Sequence, residues 1–347
     1  MSNLMKQIEE LAKIGATDAG ICRKAGTEED AAGKLLCIEY MLEAGMSVHR
    51  DKHHNIIGRL EGEGPAIVTG SHTDTVETAG PYDGVLGVLA GIEAAKVLRG
   101  SLKSPLEVVI FHDEENTMSG SVGYCKSQPD IKAFLELHVE QGPVLDFQQQ
   151  DIGVVSGIVG QRRCSFTVFG QENHAGTTPM NMRDDALVKT AEIITYINEE
   201  ATKCDGLVAT VGVLDVSPNA FSVVPGRVDF TLQVRDLDSY LMDKFVENVC
   251  KKFDLRHEII HRSEPALCDT MVMQHIAKTC DELGLQSIEM PSRASHDAQN
   301  FTFCPMGMIF VPSVGGISHS PLENTSDKHC YAGTKVLIET IKKLDYD

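Results

Sequence analysis

The stretch AIVTGSHTD at residues 66–74 decides the fold, because a short apolar run ends there in polar side chains. We expect residues 66–70 to form a buried strand that ends at His72. A helix of small residues is predicted over 84–99, where Gly100 ends it, and a second buried strand over 106–111. This order is typical of a parallel α/β sheet, whose sites lie at the carboxyl ends of the strands.

The segments on either side of this stretch indicate an inserted domain. Helices are predicted over 4–14 and 28–45, and a strand pair, or a strand and a turn, over 48–58. In the second helix the apolar residues recur at helical spacing, as Leu35, Ile38, Met41 and Leu42. Beyond about residue 157 alternating strands and amphipathic helices follow, at 163–170, 184–198, 207–216, 227–234 and 239–253. The α/β pattern returns with elements at 270–283, 308–311 and 330–343. The sequence therefore predicts an α/β protein with a mostly parallel-sheet domain, 1–157 and 265–347, and an inserted α+β domain, 158–264.

Composition narrows the class of protein. The chain has 347 residues, of which 42% are hydrophobic and 23% charged, and its net charge is −19. This charge argues against nucleic acid or an anionic membrane as a partner. We expect no membrane span, since no run of about 18 apolar residues occurs, and no signal peptide, since the N-terminus lacks an apolar core. Ten cysteines without a CxxC motif indicate reduced thiols and a cytoplasmic location.

Five short clusters of acidic and histidine residues follow apolar runs or adjoin glycines. They are His72-Thr73-Asp74, Tyr82-Asp83-Gly84, Asp113-Glu114-Glu115, Glu136-Leu137-His138 and Ser318-His319-Ser320. A pair of divalent ions needs several histidine and carboxylate ligands, one of them shared between the ions. The clusters supply such a set, with one carboxylate left for proton transfer. A capping turn or a solvated acidic loop would explain any one of these clusters alone.

The positions of the acidic residues in the sequence indicate different roles for them. On an extended segment the side chains of His72 and Asp74 share one side, so Asp74 is expected to hold the imidazole ring. Asp83, at the start of a helix, suits a bridging ligand. Of Glu114 and Glu115, one is expected to be a ligand and the other the base that takes a proton from water.

Further histidines fall into three groups. His138 and His319 are expected as ligands, since one follows an apolar stretch and the other a strand and a glycine loop. His174 lies in the inserted domain, so we expect it to act across a cleft or a subunit boundary as a donor to an oxyanion. The histidines at 49, 53 and 54 are surrounded by charged residues and are interpreted as a solvated turn.

Four strings, ELHVEQGPVL, NHAGTTPM, HDA and GISHSPLE, together carry a resemblance that covers almost the whole chain. The chain resembles the dinuclear metal amidohydrolases that include N-carbamoyl-L-amino acid hydrolase, β-ureidopropionase and allantoate amidohydrolase. These enzymes are relatives of the aminoacylase and carboxypeptidase metallopeptidases. The resemblance implies a phosphorylase/hydrolase-like catalytic domain, an inserted lid and dimerisation domain, and a homodimer.

The resemblance also implies roles for individual residues. The metal ligands would be His72, Asp83, Glu115, His138 and His319, with Asp83 bridging and with Glu115 and His319 on the second metal. Glu114 would be the base, and His174 would stabilise the transition state in the neighbouring subunit's site. Arg235 would hold the substrate carboxylate, a task that suits a guanidinium fork, and Gln141 would contact the substrate or a ligand. The implied cofactors are two divalent ions, with Zn²⁺ expected first and Mn²⁺, Co²⁺ or Ni²⁺ as alternatives.

Departures from the family pattern concentrate around the substrate. The segment 116–137 is shorter than the family usually carries between Glu115 and His138. Ser222 stands where the family has a substrate-binding asparagine, and Gln233 where it has an aspartate. The usual glycine-rich turn before His296 contains Arg293 instead, so we count Ser222, Arg293 and His296 among the candidate substrate-binding residues.

The sequence therefore favours a metal-dependent hydrolase of a carbamoyl or ureido group on a small carboxylate-bearing molecule. A peptidase or an N-acyl-amino-acid deacylase on the same scaffold is the first alternative. A non-catalytic protein that binds a metal or a metabolite is the second, and the intact Glu114 argues against it.

Overall fold

The computed structural model describes residues 3–127 and 130–347. The chain forms two compact units, which we call the larger unit, Met1–Ile158 with Leu267–Asp347, and the smaller unit, Val159–Ala266. The α-helices are α1 Leu4–Ala12, α2 Glu28–Glu43, α3 Val85–Leu98, α4 Ser119–Ser127, α5 Val144–Phe147, α6 Ala186–Lys203, α7 Ser239–Phe253, α8 Thr270–Leu283 and α9 Asp327–Tyr346. The strands are β1 Ala16–Thr17, β2 Gly20–Ile21, β3 Ser47–Arg50, β4 Ile56–Leu60, β5 Ala66–His72, β6 Leu106–Phe111, β7 Ile131–Val139, β8 Ile152–Ile158, β9 Gly160–Phe169, β10 Asn173–His174, β11 Val208–Ser217, β12 Val223–Val224, β13 Arg227–Asp236, β14 His257–Ser263, β15 Ala266–Leu267, β16 Ser287–Ser292 and β17 Met306–Val311.

A mostly parallel sheet forms the centre of the larger unit. Its strands lie in the order β8-β17-β7-β5-β6-β4-β3, and β16 pairs with β8. The central strands β6, β5, β7 and β17 run parallel to one another. In the β5–β6 pair His72 lies opposite Phe111, so both strands end at the same edge of the sheet. The residues that follow these strands are therefore brought together, as the sequence predicts.

Helix α3 approaches this sheet closely because its inner face carries glycines. A Cβ atom on Gly87 would lie 2.3 Å from the carbonyl oxygen of Leu137 on β7. Gly84, just before the helix, has a φ of 67° and would place a Cβ 2.5 Å from the ring of His72. Small residues here let the start of α3, and with it Asp83, reach the carboxyl edge of the sheet.

The smaller unit is an α+β structure with an antiparallel sheet. Its strands lie in the order β11-β13-β9-β14, and helices α6 and α7 pack on one face. Alternate residues of β9 and β13 point to the helices, and the rings of Phe166 and Phe230 stack with centroids 5.0 Å apart. Asp185 and Asp238 cap the two helices by accepting main-chain N–H bonds.

The structure adds elements that periodicity does not reveal and corrects one helix face. Helix α4 and strands β8, β14 and β16 were not predicted. In α2, Met41 lies in the core as its spacing suggests, but Leu35 and Leu42 are 61% and 57% exposed. Among the described residues, no helix is long and apolar enough to cross a membrane.

Candidate metal centre

The candidate site lies at the carboxyl edge of the central sheet, within the larger unit. His72 ends β5, His138 lies near the end of β7, and the acidic pair follows β6. Asp83 precedes α3, and His319 follows the glycine loop after β17. Together with neighbouring residues these side chains line a cavity of about 160 Å³.

The two carboxylate oxygens of Asp83 face two separate groups of donors. Its Oδ1 lies 3.2 Å from His138 Nε2 and 3.8 Å from His72 Nε2. Its Oδ2 lies 3.2 Å from His319 Nε2, which in turn lies 3.5 Å from Glu115 Oε2. Each group offers ligand atoms that all lie within 4.8 Å of one another, so each could surround one metal ion, with Asp83 shared.

Main-chain carbonyls orient the two buried histidines. The Nδ1 atoms of His72 and His138 lie 2.9 Å from the carbonyl oxygens of Asp74 and Val139. Since carbonyl oxygens only accept, each Nδ1 donates its proton to the carbonyl, and each Nε2 atom faces Asp83. The expected contact from Asp74 is corrected in one respect. Its carboxylate is 4.0 Å from the ring of His72 and instead accepts the main-chain N–H of Glu115, at 3.2 Å.

The charged groups of the site shift one another's pKa values. Burial alone would lower the pKa of His72, but the carboxylates around it, Glu114 foremost, hold that pKa well above its ordinary value. Burial would raise the pKa of Asp83, yet hydrogen bonds from His138 and His319 keep it well below its usual range. The site therefore favours positive charge.

The donor set fits divalent cations. All the converging atoms are imidazole nitrogens and carboxylate oxygens, the ligands that Zn²⁺ and similar ions accept. Oε1 of Glu115 is buried and has no hydrogen-bond donor among the described residues, and burial raises the pKa of this carboxyl group. A cation would compensate both the unpaired oxygen and the clustered negative charge.

Glu114 differs from its neighbour in position and environment. Its side chain is buried, lines the cavity, and places Oε2 3.6 Å from Nε2 of His72. It belongs to neither group of candidate ligands. Burial raises its pKa well above the usual value, although His72 opposes the shift. A carboxyl group with a raised pKa beside a metal site is suited to accept and return a proton.

Gln141 contacts the candidate ligands directly. Its Nε2 donates a hydrogen bond of 2.9 Å to Asp83 Oδ2 and lies 3.4 Å from His319 Nε2. Its backbone has a φ of 58° and its N–H is held by the hydroxyl of Ser313. The structure thus places Gln141 beside the second group of donors.

The turn before the short 3₁₀ helix Asp297–Asn300 supplies one wall of the cavity. His296 is buried there, its ring lies edge-on to that of His138 with centroids 4.5 Å apart, and its Nε2 has no partner among the described residues. Ala294 and Ser295 also line the cavity. Arg293, which the sequence places among the substrate contacts, is exposed and does not line it.

The other expected substrate contacts lie in the smaller unit. His174 and Ser222 are neighbours, because β10 pairs with β12 and Ala175 N–H donates to the carbonyl of Ser222. Nδ1 of His174 accepts the main-chain N–H groups of Gly176 and Thr177, at 3.0 and 3.2 Å. The neutral ring therefore carries its proton on Nε2, as a hydrogen-bond donor requires. Arg235 lies on β13 and is half-buried.

Two buried residues support the site without a role predicted from the sequence. Glu323 accepts the N–H groups of Tyr82 and Asp83, at 2.8 and 3.2 Å, and the hydroxyl of Ser318, at 3.1 Å. It thereby joins the Asp83 turn to the loop that carries His319. The fully buried Arg23 donates through Nε to the carbonyl of Thr73, beside the His72 turn. The only sequence signal for Glu323 is its place at the end of the GISHSPLE string.

Fold and site together define a class of α/β hydrolase with a carboxylate- and histidine-rich metal centre at the edge of its sheet. Residues 68–343 match the model of peptidase family M20/M25/M40, whose members are metal-dependent. The chain belongs to this family.

Similar proteins of known name support the same assignment. N-carbamoyl-L-amino acid amidohydrolase of Geobacillus stearothermophilus is 35% identical over 399 aligned positions that cover 98% of each chain. Allantoate amidohydrolase of Bacillus subtilis (strain 168) is 34% identical and covers 99% of this chain and 98% of the relative. A solved amidase of the hydantoinase/carbamoylase family from Burkholderia multivorans is 31% identical, with a TM-score of 0.89 over 100% of this chain and 98% of that chain.

The first of these alignments spans 399 positions, which exceeds the 347 residues of this chain. The relative therefore carries residues that have no counterpart here. That the shorter segment 116–137 accounts for them stays a prediction.

Proposed function

We propose that this protein is a metal-dependent hydrolase of a C–N bond in the carbamoyl or ureido group of a small molecule that also carries a carboxylate. The main support for the proposal is the position of the Asp83 carboxylate. Each of its two oxygens faces one group of donors, and the buried Glu114 lies beside them. The relatives named for carbamoyl amino acids and allantoate support the substrate class.

The proposed first ion would be held by His72, Asp83 and His138, and the second by Asp83, Glu115 and His319. Bound divalent ions supply Lewis acidity, which polarises a carbonyl group and lowers the pKa of water. We propose Zn²⁺ as the first candidate for the cofactor and Mn²⁺, Co²⁺ or Ni²⁺ as alternatives. Asp74 supports this set through its carbonyl bond to His72 and its carboxylate bond to the Glu115 N–H.

Glu114 is proposed to move the proton. Its carboxylate accepts a proton from the attacking water, the water oxygen bonds to the substrate carbonyl carbon, and the C–N bond then breaks. Glu114 returns the same proton to the leaving nitrogen, so the group ends the cycle unchanged. Its raised pKa suits this role, because the carboxylate of a more acidic group would be a weaker base toward the attacking water.

Residues of the smaller unit are proposed to bind and stabilise the substrate. Nε2–H of His174 would donate to the oxyanion, a role that its fixed tautomer supports. Arg235 would hold the substrate carboxylate with its guanidinium fork. We further propose that the smaller unit serves as lid and dimerisation domain and that the protein is a homodimer.

Gln141 and His296 are proposed to contact the substrate from the metal side. Both line the cavity of the metal centre. Ser222 and Arg293 remain proposed contacts that would set specificity, Ser222 through its place beside His174.

A substrate screen with added metal tests the proposal. The purified protein would be assayed with Zn²⁺, Mn²⁺, Co²⁺ or Ni²⁺ against N-carbamoyl amino acids, allantoate, ureidoglycolate and dipeptides. We expect ammonia from at least one carbamoyl or ureido compound, and no activity after chelation. Cleavage of dipeptides without ammonia release from any ureido compound would instead identify a peptidase on this scaffold.

A further inference from the structure

A groove of about 560 Å³ lies on the larger unit between α2 and the edge strand β3. This volume is in the range of small-molecule sites, and the lining is mostly apolar with a few polar groups, as in such sites. The groove plays no part in the proposed hydrolysis, so an inference about it goes beyond that function.

One wall of the groove is a second apolar stripe on α2. Ala31, Leu35, Ile38 and Leu42 follow one another at intervals of four, three and four residues, which places them on one face of the helix. From its first to its last member the stripe is about 16 Å long, at 1.5 Å per residue. Leu35 and Leu42 are 61% and 57% exposed, although the opposite face of α2 packs in the core. An apolar chain laid along the stripe would remove this surface from water.

Polar residues complete the lining of the groove. Lys34, His49, Arg50 and His112 line it, and among the described residues in the lining Asp30 is the one acid. Because Asp30 pairs with Lys34, Arg50 is the cation of the lining that this acid does not neutralise.

Lys34 has donor capacity left for a ligand. Its side chain is buried, and its ammonium group donates to Asp30 Oδ2 at 2.8 Å and to His112 Nδ1 at 3.3 Å. An ammonium group has three donors, so one is not used by these contacts. Because Lys34 can only donate, Nδ1 of His112 accepts, and the neutral ring carries its proton on Nε2.

Arg50 adds an exposed cation to the same groove. Its guanidinium contacts His54 Nδ1 at 2.8 Å and forms no ion pair with any acid in the described parts of the chain. Asp30, in contrast, is already engaged by Lys34 and by the N–H of Gly26. The groove thus combines an apolar stripe with unmatched positive charge.

We propose that this groove binds an amphipathic monocarboxylate, whose alkyl chain lies along Leu35, Ile38 and Leu42 and whose carboxylate meets Lys34 and Arg50. A charged carboxylate bound to two cations gains charge-assisted hydrogen bonds, while the alkyl chain supplies the apolar burial. A cationic or neutral ligand of the same length gains only the second contribution.

Calorimetric titration of the full chain with decanoate, below its micelle concentration, tests the proposal. We expect binding of one decanoate per chain, binding at least tenfold weaker for decyltrimethylammonium, and none for acetate. The double variant Leu35→Gln/Leu42→Gln and the single variant Arg50→Gln should each weaken decanoate binding at least tenfold. All three positions are exposed, so these variants are expected to fold.

Val97→Gln is the matched control, since Val97 is an exposed apolar residue of the larger unit outside the groove. It should leave decanoate binding unchanged. Three results would each overturn the proposal: no decanoate binding, equal binding of decanoate and decyltrimethylammonium, or a loss of oligomer mass in Leu35→Gln/Leu42→Gln by light scattering. The last result would show that a second copy of the chain covers the groove. Because the titration needs no added metal and no turnover, its failure is independent of the proposed hydrolysis.

Discussion

Asp83 is the residue on which the geometry of the candidate metal centre depends. Only a carboxylate can present one oxygen to the His72 and His138 pair and the other to His319 and Glu115. On the proposed assignment, its neighbours divide into ligands and a base, because Glu115 faces His319 while Glu114 faces His72. Single-residue substitutions can therefore separate metal binding from proton transfer.

We predict that Glu114→Gln keeps its affinity for metal and loses activity by about 10²- to 10⁴-fold, the contribution typical of a general base. The amide fills the same space but cannot accept a proton from water. Metal content by atomic spectroscopy and kcat with the best substrate of the screen would be measured together. Glu115→Gln is the matched control, since it should lower metal content as well as kcat. An active Glu114→Gln variant would refute the assignment of the base.

Glu323 gives a second prediction for a single residue. Glu323→Ala leaves the buried N–H groups of Tyr82 and Asp83 without an acceptor, which costs about 1–3 kcal/mol for each unsatisfied group. We expect a lower Tm and a weaker affinity for the second metal, because the same side chain holds the loop of His319 through Ser318.

Calorimetric metal titration and thermal unfolding would measure both effects of Glu323→Ala. Leu322→Ala is the control, because Leu322 is an exposed neighbour in the same loop. A variant with reduced Tm and unchanged metal affinity would limit Glu323 to a structural role.

Sequence reasoning found the residues at strand ends and missed those held by distant contacts. His72, Asp83 and Glu115 follow apolar runs or adjoin glycine, so local pattern alone marks them as candidates. Glu323 acts on Asp83 across 240 positions of sequence, and no local pattern encodes that contact. Sequence reasoning missed the partner of Asp74 for the same reason: its side chain bonds to the Glu115 N–H rather than to His72.

At the scale of elements, the close fit of α3 against β5 and β7 positions Asp83 over the sheet edge. The fit depends on glycines that the sequence shows as a run of small residues. The short apolar runs also predict the core strands β5 and β6, which are buried throughout. Periodicity does not predict β14, whose residues are mostly exposed. It also does not show which of the two apolar faces of α2 is buried, because a pattern of spacing does not say which face is covered.

We predict that Gly84→Ala weakens metal binding by the His72 group. The added Cβ would lie 2.5 Å from Cε1 and Nε2 of the His72 ring, so the ring or the start of α3 must move. Gly100→Ala is the matched control: its φ of 73° imposes a similar backbone strain, but nothing lies within 4 Å of its Cβ. Both variants should lose some stability, and only Gly84→Ala should lose metal affinity in a calorimetric titration. Equal metal affinity in the two variants would contradict the prediction.

At the scale of the whole molecule, the proposal places the metal ligands in the larger unit and His174 and Arg235 in the smaller unit. If His174 acts in the neighbouring subunit's site, a His174→Ala chain and a Glu114→Gln chain should complement each other. We expect each variant alone to be nearly inactive and the mixture, after subunit exchange, to recover up to about a quarter of wild-type activity, since one of the two sites in each mixed dimer is intact. Light scattering must show a dimer; an active monomer would remove the cross-subunit role.

The cluster of raised pKa values makes a prediction about stability and pH. In the metal-free protein the pKa values of His72, His138 and His319 lie above the ordinary value of 6.5. The folded state then binds more protons than the unfolded state above pH 6.5, so the free energy of unfolding falls as pH rises through the folded values. The histidines with lowered pKa act below pH 6.5, where stability rises with pH; they are His112, His296 and His329. We therefore expect the Tm of the chelated protein to fall between pH 6.5 and 8.5.

Metal should reverse that slope, because histidine must lose its proton before it binds an ion. With saturating Mn²⁺, which avoids the thiols of the ten cysteines better than Zn²⁺ does, we expect Tm to rise over the same pH interval. Scanning calorimetry with chelator and with Mn²⁺ measures both slopes. In His319→Asn the chelated protein should lose part of its slope. If Tm changes with pH in the same way with and without metal, the three histidines do not exchange protons for metal. That result would refute the two-metal proposal.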